Sequence, residues 1–366
     1  MWGAGRALVI DLPAPWPEHT AVVAEALGSI EAEGQASPVA FGALPYDRES
    51  TARFVVPGVL HGRTADGDRW TTTVGSSSST DRYLSDPGAT PDATQSMEVR
   101  SVIPAEKWCA AVTEARDRIR AGELTKVVLA RELQVTADTD FDAATLWNLL
   151  RQDHPGALCF AVDGFVGASP ELLVSRIGST VRAQPMAGTT PRSGHPELDQ
   201  RLAGELLGSA KNRSEHRITI DAVHDGLLGW CSYLDAEPTP SVVAAGSVQH
   251  LATMVEGRLS SPEPTVLELV AALHPTPAVG GSPTEHAVDM QRQLEGADRG
   301  RYAGPVGWVD AGGNGAFAVG IRSVQLHGPT ASLFTGVGVV ADSDPAAELA
   351  ETRAKARSLL SALVRL

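Results

Sequence analysis

Apolar residues change rhythm along the chain. In the first hundred residues they come in short bursts, "RALVIDL", "PVAFGAL" and "RFVVPGVL", cut by proline and glycine. Such bursts predict short strands. Residues 71–98 hold a Ser/Thr/Asp/Gly tract too polar to bury, which predicts a long surface loop. From about residue 101 the pattern strengthens. Trp108, Val112, Ala115 and Ile119 recur at helical spacing, and the run ends at Gly122. "LTKVVLAREL" follows as a strand, with Lys126 at the mouth of its apolar run. Residues 197–208 and 211–234 predict helices. Residues 305–340 predict a meander: "PVGWVD", a turn at "AGGNG", the strand "AFAVGIRSVQL", a turn at "HGP", then "TASLFTGVGVV". A last helix starts near residue 345, with Asp344 as N-cap and Pro345 in its first position. Leu349, Leu359, Leu360 and Leu363 supply its apolar face. Helices and strands come in blocks, with hairpins between strands, which predicts an α+β fold.

Composition adds bounds. The 366 residues are 43% hydrophobic and 20% charged, as in ordinary globular proteins. No window approaches the roughly 18 apolar residues of a membrane span. The N-terminal stretch does not read as a secretion signal, because Asp11 and several prolines break it. Cys109, Cys159 and Cys231 are widely spaced, so the expected compartment is a reducing cytoplasm. A net charge of −14 disfavours nucleic acid or an anionic membrane as partner. It leaves room for a small anionic ligand held by local arginines or a bound cation.

Several residues carry candidate chemistry. Lys126 is either a solvated strand end or a proton acceptor held beside buried residues. Glu215 lies early in a predicted helix, and Glu348 and Glu351, three apart, share one face of another. The plain reading of all three is a favourable contact with a helix dipole. A metal bound there would be a hard ion such as Mg²⁺. Alternation along "AFAVGIRSV" puts Ala316, Ala318, Gly320 and Arg322 on one strand face, so Arg322 is either an exposed edge residue in an ion pair or a guanidinium at the end of a hollow, suited to a carboxylate. Gly336 and Gly338 in the next strand suit close ligand approach. "AQPMAGTTPR" places Gly188 and Thr189 in a turn, either a plain surface turn or one whose N–H groups can meet an anion. In "SPELL", Glu171 is either an acid at a helix start or a protonated acid set back in a pocket. His274 is either a base or, the favoured reading, a helix-ending residue before proline.

In order along the chain, "KVVLAREL", "GASPELLVSR", "QPMAGTTPR", "KNRSEH", "HLATMVEGRL", "LHPTPAVGGSP", "RGRYAGPVGW", "GNGAFAVGIRSV" and "GVGVVADSDPAAELAETRAKA" resemble the chorismate-utilising enzymes, and among them the isochorismate synthases. The blocks run from about residue 101 to the C-terminus, with residues 1–100 expected to complete the same domain. The resemblance implies a single large α+β domain, with antiparallel sheets packed as a sandwich and helices outside. It implies a site for chorismate and Mg²⁺, no amidotransferase subunit, and a monomer. Glu215 and Glu351, with Glu348 beside them, match the metal carboxylates. Arg322, Tyr302, Gly188, Thr189, Gly336 and Ala278 match substrate-holding positions. Glu171 matches the general acid and Lys126 the general base.

The reaction so implied is addition of water at ring carbon 2 and loss of the hydroxyl at carbon 4, feeding menaquinone or siderophore synthesis. Members that use ammonia carry glutamine where Lys126 stands, because ammonia needs no deprotonation. Tyr302 is similar to members that go on to release pyruvate and form salicylate. Ala278 is instead the small residue of isochorismate synthases, so salicylate formation is the alternative. Asn212 stands where many members have aspartate, and a silent chorismate-binding paralogue is the third reading.

Overall fold

The protein is described here from a computed structural model covering residues 1–34, 37–63, 66–74 and 96–366. Two large sheets organise it. A nine-stranded sheet runs in the order Cys231–Ala236, Val255–Leu259, Thr180–Gln184, Leu172–Ile177, Gly315–Val319, Pro305–Asp310, Val39–Ala43, Ala52–Val56, Leu8–Leu12. A seven-stranded sheet runs Leu158–Val162, Phe165–Ser169, Ser323–His327, Thr330–Val339, Lys126–Ala137, Gly281–Ser282, and Met97–Ser101 pairs with the far end of Lys126–Ala137. Neighbours in both sheets are antiparallel. Ala43, Val306 and Ala318 of the first sheet pack with Phe165 and Phe160 of the second, closing a sandwich. Three N-terminal strands extend the nine-stranded sheet, so chain on both sides of residue 100 shares one sheet.

Helices cover the outer faces. Ala21–Gly28 and Val266–Leu273 bury leucines and valines against the nine-stranded sheet. Ala105–Arg120 lays Trp108, Val112, Ala115 and Ile119 on Val127, Leu129, Val337 and Val339 of the seven-stranded one. The C-terminal helix Pro345–Leu363 is capped by Asp344, whose carboxylate accepts from the Ala347 N–H at 2.8 Å. Its Leu359 and Leu363 pack on Val166, Val324 and Leu333.

Some sequence expectations are corrected. The tract expected as a loop over 71–98 is strand at 71–74 (in Arg69–Val74) and again from Met97, while 75–95 lies outside the described residues. The helix expected over 211–234 stops at Leu228, and Cys231–Ala236 is the edge strand. A helix at Ala21–Gly28 stands among the predicted N-terminal strands. Glu171 starts no helix, since a strand begins at Leu172. "AFAVGIRSVQL" is two strands in different sheets, Gly315–Val319 and Ser323–His327. Arg322 therefore does not continue the face of Ala316 and Ala318. It sits in the break with φ of +52°, a left-handed conformation rare for residues other than glycine.

That break has a counterpart. The chain passes from Phe165–Ser169 in the seven-stranded sheet to Leu172–Ile177 in the nine-stranded one, with Glu171 in the passage. It returns between Gly315–Val319 and Ser323–His327, with Arg322 in the passage. The strands on each side are paired with one another, so both crossings lie together at the seam. A side chain in a crossing is freed from the pleat and can point into the gap where the two sheets part.

Candidate active site

A cavity of about 290 Å³ opens at this seam, near the lower end of the range of roughly 300–1,000 Å³ usual for small-molecule sites. Its wall contains Lys126, Glu171, Gly188, Thr189, Glu215, Ala278, Tyr302, Arg322, Gly336, Gly338, Glu348 and Glu351. Every residue that the resemblance matched to a site role lines this one space. His274 does not, because it ends the helix Val266–Leu273 as its C-cap, as expected.

Glu171 is held by its surroundings in a proton-donating state. It is 3% exposed, and burial raises its carboxyl to about 8, against smaller lowering effects from the Met186 N–H, Lys126 and Arg322. Its backbone is fixed at the crossing: the N–H donates to Ser169 Oγ at 3.2 Å and the carbonyl accepts from the Val319 N–H at 3.1 Å. A carboxyl so buried keeps its proton at neutral pH and has one available to give.

Lys126 is not a solvated strand end. It is 1% exposed, and its Nζ lies 2.9 Å from Glu215 Oε1. Glu215 reaches it from the second turn of the helix Ala210–Leu228, too far in to be a helix-start acid. Burial pushes the Glu215 carboxyl up, but the Lys126 ammonium and its hydrogen bond outweigh this and hold it below the usual carboxylate range. Opposite, Gly338 leaves room for the pair. A Cβ there would stand 2.8 Å from Glu215 Oε1 and 2.9 Å from Lys126 Cε. Both are ends of flexible side chains, so Gly338→Ala shifts the pair without breaking the sheet. We expect turnover to fall about 10- to 100-fold, as misplacement by an ångström can cost, with thermal unfolding little changed. Steady-state kinetics and a melting curve on the same preparation check this.

Glu348 and Glu351 enter from the first two turns of the C-terminal helix. Burial raises the Glu348 carboxyl, helped by the Glu351 charge beside it, although Ser343 bonds to it. Glu351 is paired with Lys355 at 2.7 Å, and Lys355 also donates to the Gly336 carbonyl at 2.9 Å. Among the described residues, no three His, Cys, Asp or Glu side chains converge tightly enough to cage an ion. Three carboxylates on one wall nevertheless suit a hard divalent cation that takes its other oxygens from a ligand and water. Asn212 adds an amide to this wall, and its Cβ lies 3.1 Å from where a Gly188 Cβ would be. Gly188, at φ +73° in a bulge of the strand Met186–Pro191, is thus a close approach within a strand and not part of a free-standing turn.

Arg322 is partly buried and lines the cavity. Its Nη2 donates to His250 Nε2 at 3.1 Å. His250 Nδ1 lies 3.1 Å from the Gly188 carbonyl. A guanidinium only donates and a carbonyl only accepts, so the imidazole carries its proton on Nδ1 and is neutral. Burial and the adjacent Arg322 charge hold His250 well below its usual range, in agreement. His250 therefore aims Arg322 and anchors Gly188 at once. Reading the sequence assigned it no role: it sits within "HLATMVEGRL", but nothing local shows which side chain it supports. Tyr302 closes the wall, buried, stacked on Phe334 at 5.4 Å between centroids, and hydrogen-bonded to the Gly336 backbone.

The cavity at the sheet seam thus brings together an arginine, a buried acid, a buried amine and three further carboxylates. The chorismate binding enzyme family profile matches residues 43–364. This chain belongs to that family. It is 37% identical to isochorismate synthase DhbC of Bacillus subtilis over 352 residues, 93% of this chain and 84% of the relative. It is 32% identical to the vibriobactin-specific isochorismate synthase of Vibrio cholerae, over 99% of this chain and 88% of the relative. The crystal structure of a putative 2,3-dihydroxybenzoate-specific isochorismate synthase, DhbC, from Bacillus anthracis superposes with a TM-score of 0.83 at 33% identity, covering 99% of this chain and 93% of that one. Among the described residues, no helix is long and apolar enough to cross a membrane.

Proposed function

We propose that this chain is an isochorismate synthase that converts chorismate to isochorismate. The observation that carries the reading is the meeting of a protonated buried acid, Glu171, and a buried amine, Lys126, in one cavity with a carboxylate-binding arginine. The named relatives support the same product.

In this reading Arg322, aimed by His250, grips a substrate carboxylate with a two-pronged hydrogen bond. Tyr302 and the Gly188–Thr189 backbone hold the rest of the ligand, and Ala278 and Gly336 leave room for it. Lys126 accepts a proton from water as its oxygen bonds to ring carbon 2. The ring double bonds shift, and the carbon 4–oxygen bond breaks. Glu171 gives its proton to that departing hydroxyl, which leaves as water. Atoms balance: one water enters and one leaves.

Glu215, Glu348 and Glu351 would hold a Mg²⁺ ion, which supplies positive charge against a ring carboxylate. Lys126 can take a proton only as the free amine. Its Nζ is paired here with Glu215, so that carboxylate cannot serve both partners at once. Losing even an outer-shell partner costs a metal site about 10- to 100-fold in affinity, and losing a ligand costs at least as much. Glu215→Gln is thus expected to raise the Mg²⁺ concentration for half-maximal activity tenfold or more. An unchanged magnesium titration would remove Glu215 from the ligand set. We place the enzyme in the cytoplasm, since Cys109, Cys159 and Cys231 are all free thiols.

The function itself is tested by product analysis. Purified protein with chorismate and Mg²⁺ should yield isochorismate and no pyruvate. Stoichiometric pyruvate without an added lyase would instead favour salicylate formation, the reading that Tyr302 motivates.

A further inference from the structure

The strand that carries Lys126 has an unusual second edge. On one side it pairs with Thr330–Val339 along most of its length. On the other, Gly281–Ser282 reaches only Lys126 and Val127, and Met97–Ser101 takes over from Leu133 onward, leaving a gap between them. The Val128 N–H still finds the Gly280 carbonyl at 2.8 Å, and backbone pairing then lapses until Glu132, whose carbonyl accepts from the Val102 N–H at 3.1 Å. The Val128 carbonyl and the Ala130 N–H would be orphaned, and three buried polar side chains take them.

Gln291 Nε2 donates to the Val128 carbonyl at 2.9 Å and to the Gly280 carbonyl at 2.7 Å. Glu295 Oε1 accepts from the Ala130 N–H at 2.8 Å. Arg299 Nη2 donates to the Val128 carbonyl and Nη1 to the Val279 carbonyl, each at 2.9 Å. Arg299 is locked in turn by its ion pair with Glu295, Nε to Oε2 at 2.8 Å, and by the Tyr46 ring 4.4 Å beneath its guanidinium. The Tyr46 hydroxyl donates to Gln291 Oε1 at 2.7 Å. Gln291, Glu295 and Arg299 are 3%, 6% and 5% exposed.

Burying an ion pair is a costly way to cover a strand edge, because desolvation takes back much of the attraction. What the arrangement does achieve is a fixed spacing. One planar guanidinium spans the Val128 and Val279 carbonyls. Val128 lies two residues after Lys126, on the same side of the strand, and Val279 follows Ala278. All four residues line the catalytic cavity. The separation between the base-bearing strand and the loop against the substrate ring is therefore set by the width of one side chain.

We propose that Gln291, Glu295 and Arg299 are positioning residues, which hold Lys126 in register with the substrate wall at Ala278. The proposal deepens the isochorismate synthase reading and rests on it for its kinetic arm. Arg299→Lys is the test, since it keeps the charge beside Glu295 but loses the fork that bridges two carbonyls. Two measurements are made on the full chain. The kcat for isochorismate formation should fall about tenfold or more with KM within about threefold, the mark of lost alignment and not of lost binding. Backbone hydrogen exchange should quicken in peptides covering 126–130 and 276–281 and stay unchanged elsewhere in the seven-stranded sheet. If Arg299→Lys does not fold, Tyr46→Phe removes one hydroxyl from the same network and should give the same signature at about threefold in kcat. A kcat per folded molecule equal to wild type, or unaltered exchange in both segments, overturns the proposal. Wild-type protein that makes no isochorismate overturns the functional reading instead. The exchange comparison then decides the positioning claim alone.

Discussion

Lys126→Gln should lower isochorismate formation by about 100- to 10,000-fold, the range that a positioned proton acceptor contributes. Glutamine is close to lysine in reach, and its amide N–H can still donate to Glu215 Oε1, which the Lys126 Nζ meets at 2.9 Å. It cannot accept a proton from water with any force. The loss should therefore fall on water addition and leave chorismate binding largely in place, because Arg322 and His250 are untouched. Ammonia needs no base to attack. Added ammonium salt should restore slow turnover to an amino product in Lys126→Gln but not in Lys126→Ala, where the cavity wall is also lost. Near-full activity of Lys126→Ala would show that the base is another group. The accompanying change in Glu215 has a defined direction: with the ammonium gone, burial is opposed only by the smaller effects of Lys355 and Lys211, and its carboxyl rises.

The second large effect is at Glu171. Glu171→Gln keeps the shape and removes the only proton that the residue could release, so turnover should again fall by about 100- to 10,000-fold. The wild-type pH profile carries the same information without a mutation. Burial holds the Glu171 proton up to about 8, so the acid is loaded throughout the neutral range and is lost above it. The basic limb of kcat/KM should bend near 8, and Glu171→Gln should lack that bend. Stability follows the same linkage. The unfolded chain releases this proton near its ordinary value of 4.5, while the folded chain keeps it to about 8. Between those values the folded state binds more protons, so folding stability falls as pH rises across the window. Glu171→Gln should flatten that slope, which denaturant midpoints at several pH values would show. An unchanged slope would mean that the carboxyl is already ionised in the folded protein.

Much of the site was readable in the sequence, because its residues sit in dense motifs whose order the fold preserves. Lys126, Glu171, Glu215, Arg322, Glu348 and Glu351 are spread over more than two hundred positions, yet all face one cavity. Their local settings were less readable. Arg322 was placed on a strand face by alternation, but the strand ends at Val319 and the residue adopts a left-handed φ in the crossing between sheets. Alternation predicts a side only while the pleat continues. Glu171 was weighed as a helix-start acid for the same lack of long-range information: the Val319 N–H that fixes its carbonyl is distant in sequence. His250 and the Gln291–Glu295–Arg299 network escaped notice because their partners are backbone groups of remote segments, which leave no mark in composition or period. The early helix Ala21–Gly28 was missed because its short apolar run fits a strand equally well.

Turnover of chorismate in water enriched in heavy oxygen tests the chemistry most directly. If a solvent molecule is deprotonated at Lys126 and bonds to ring carbon 2 while Glu171 discharges the old hydroxyl, each isochorismate carries one heavy oxygen in its new hydroxyl group. Isochorismate formed without that label, by migration of the original oxygen, or no isochorismate at all with Mg²⁺ present, would contradict the account.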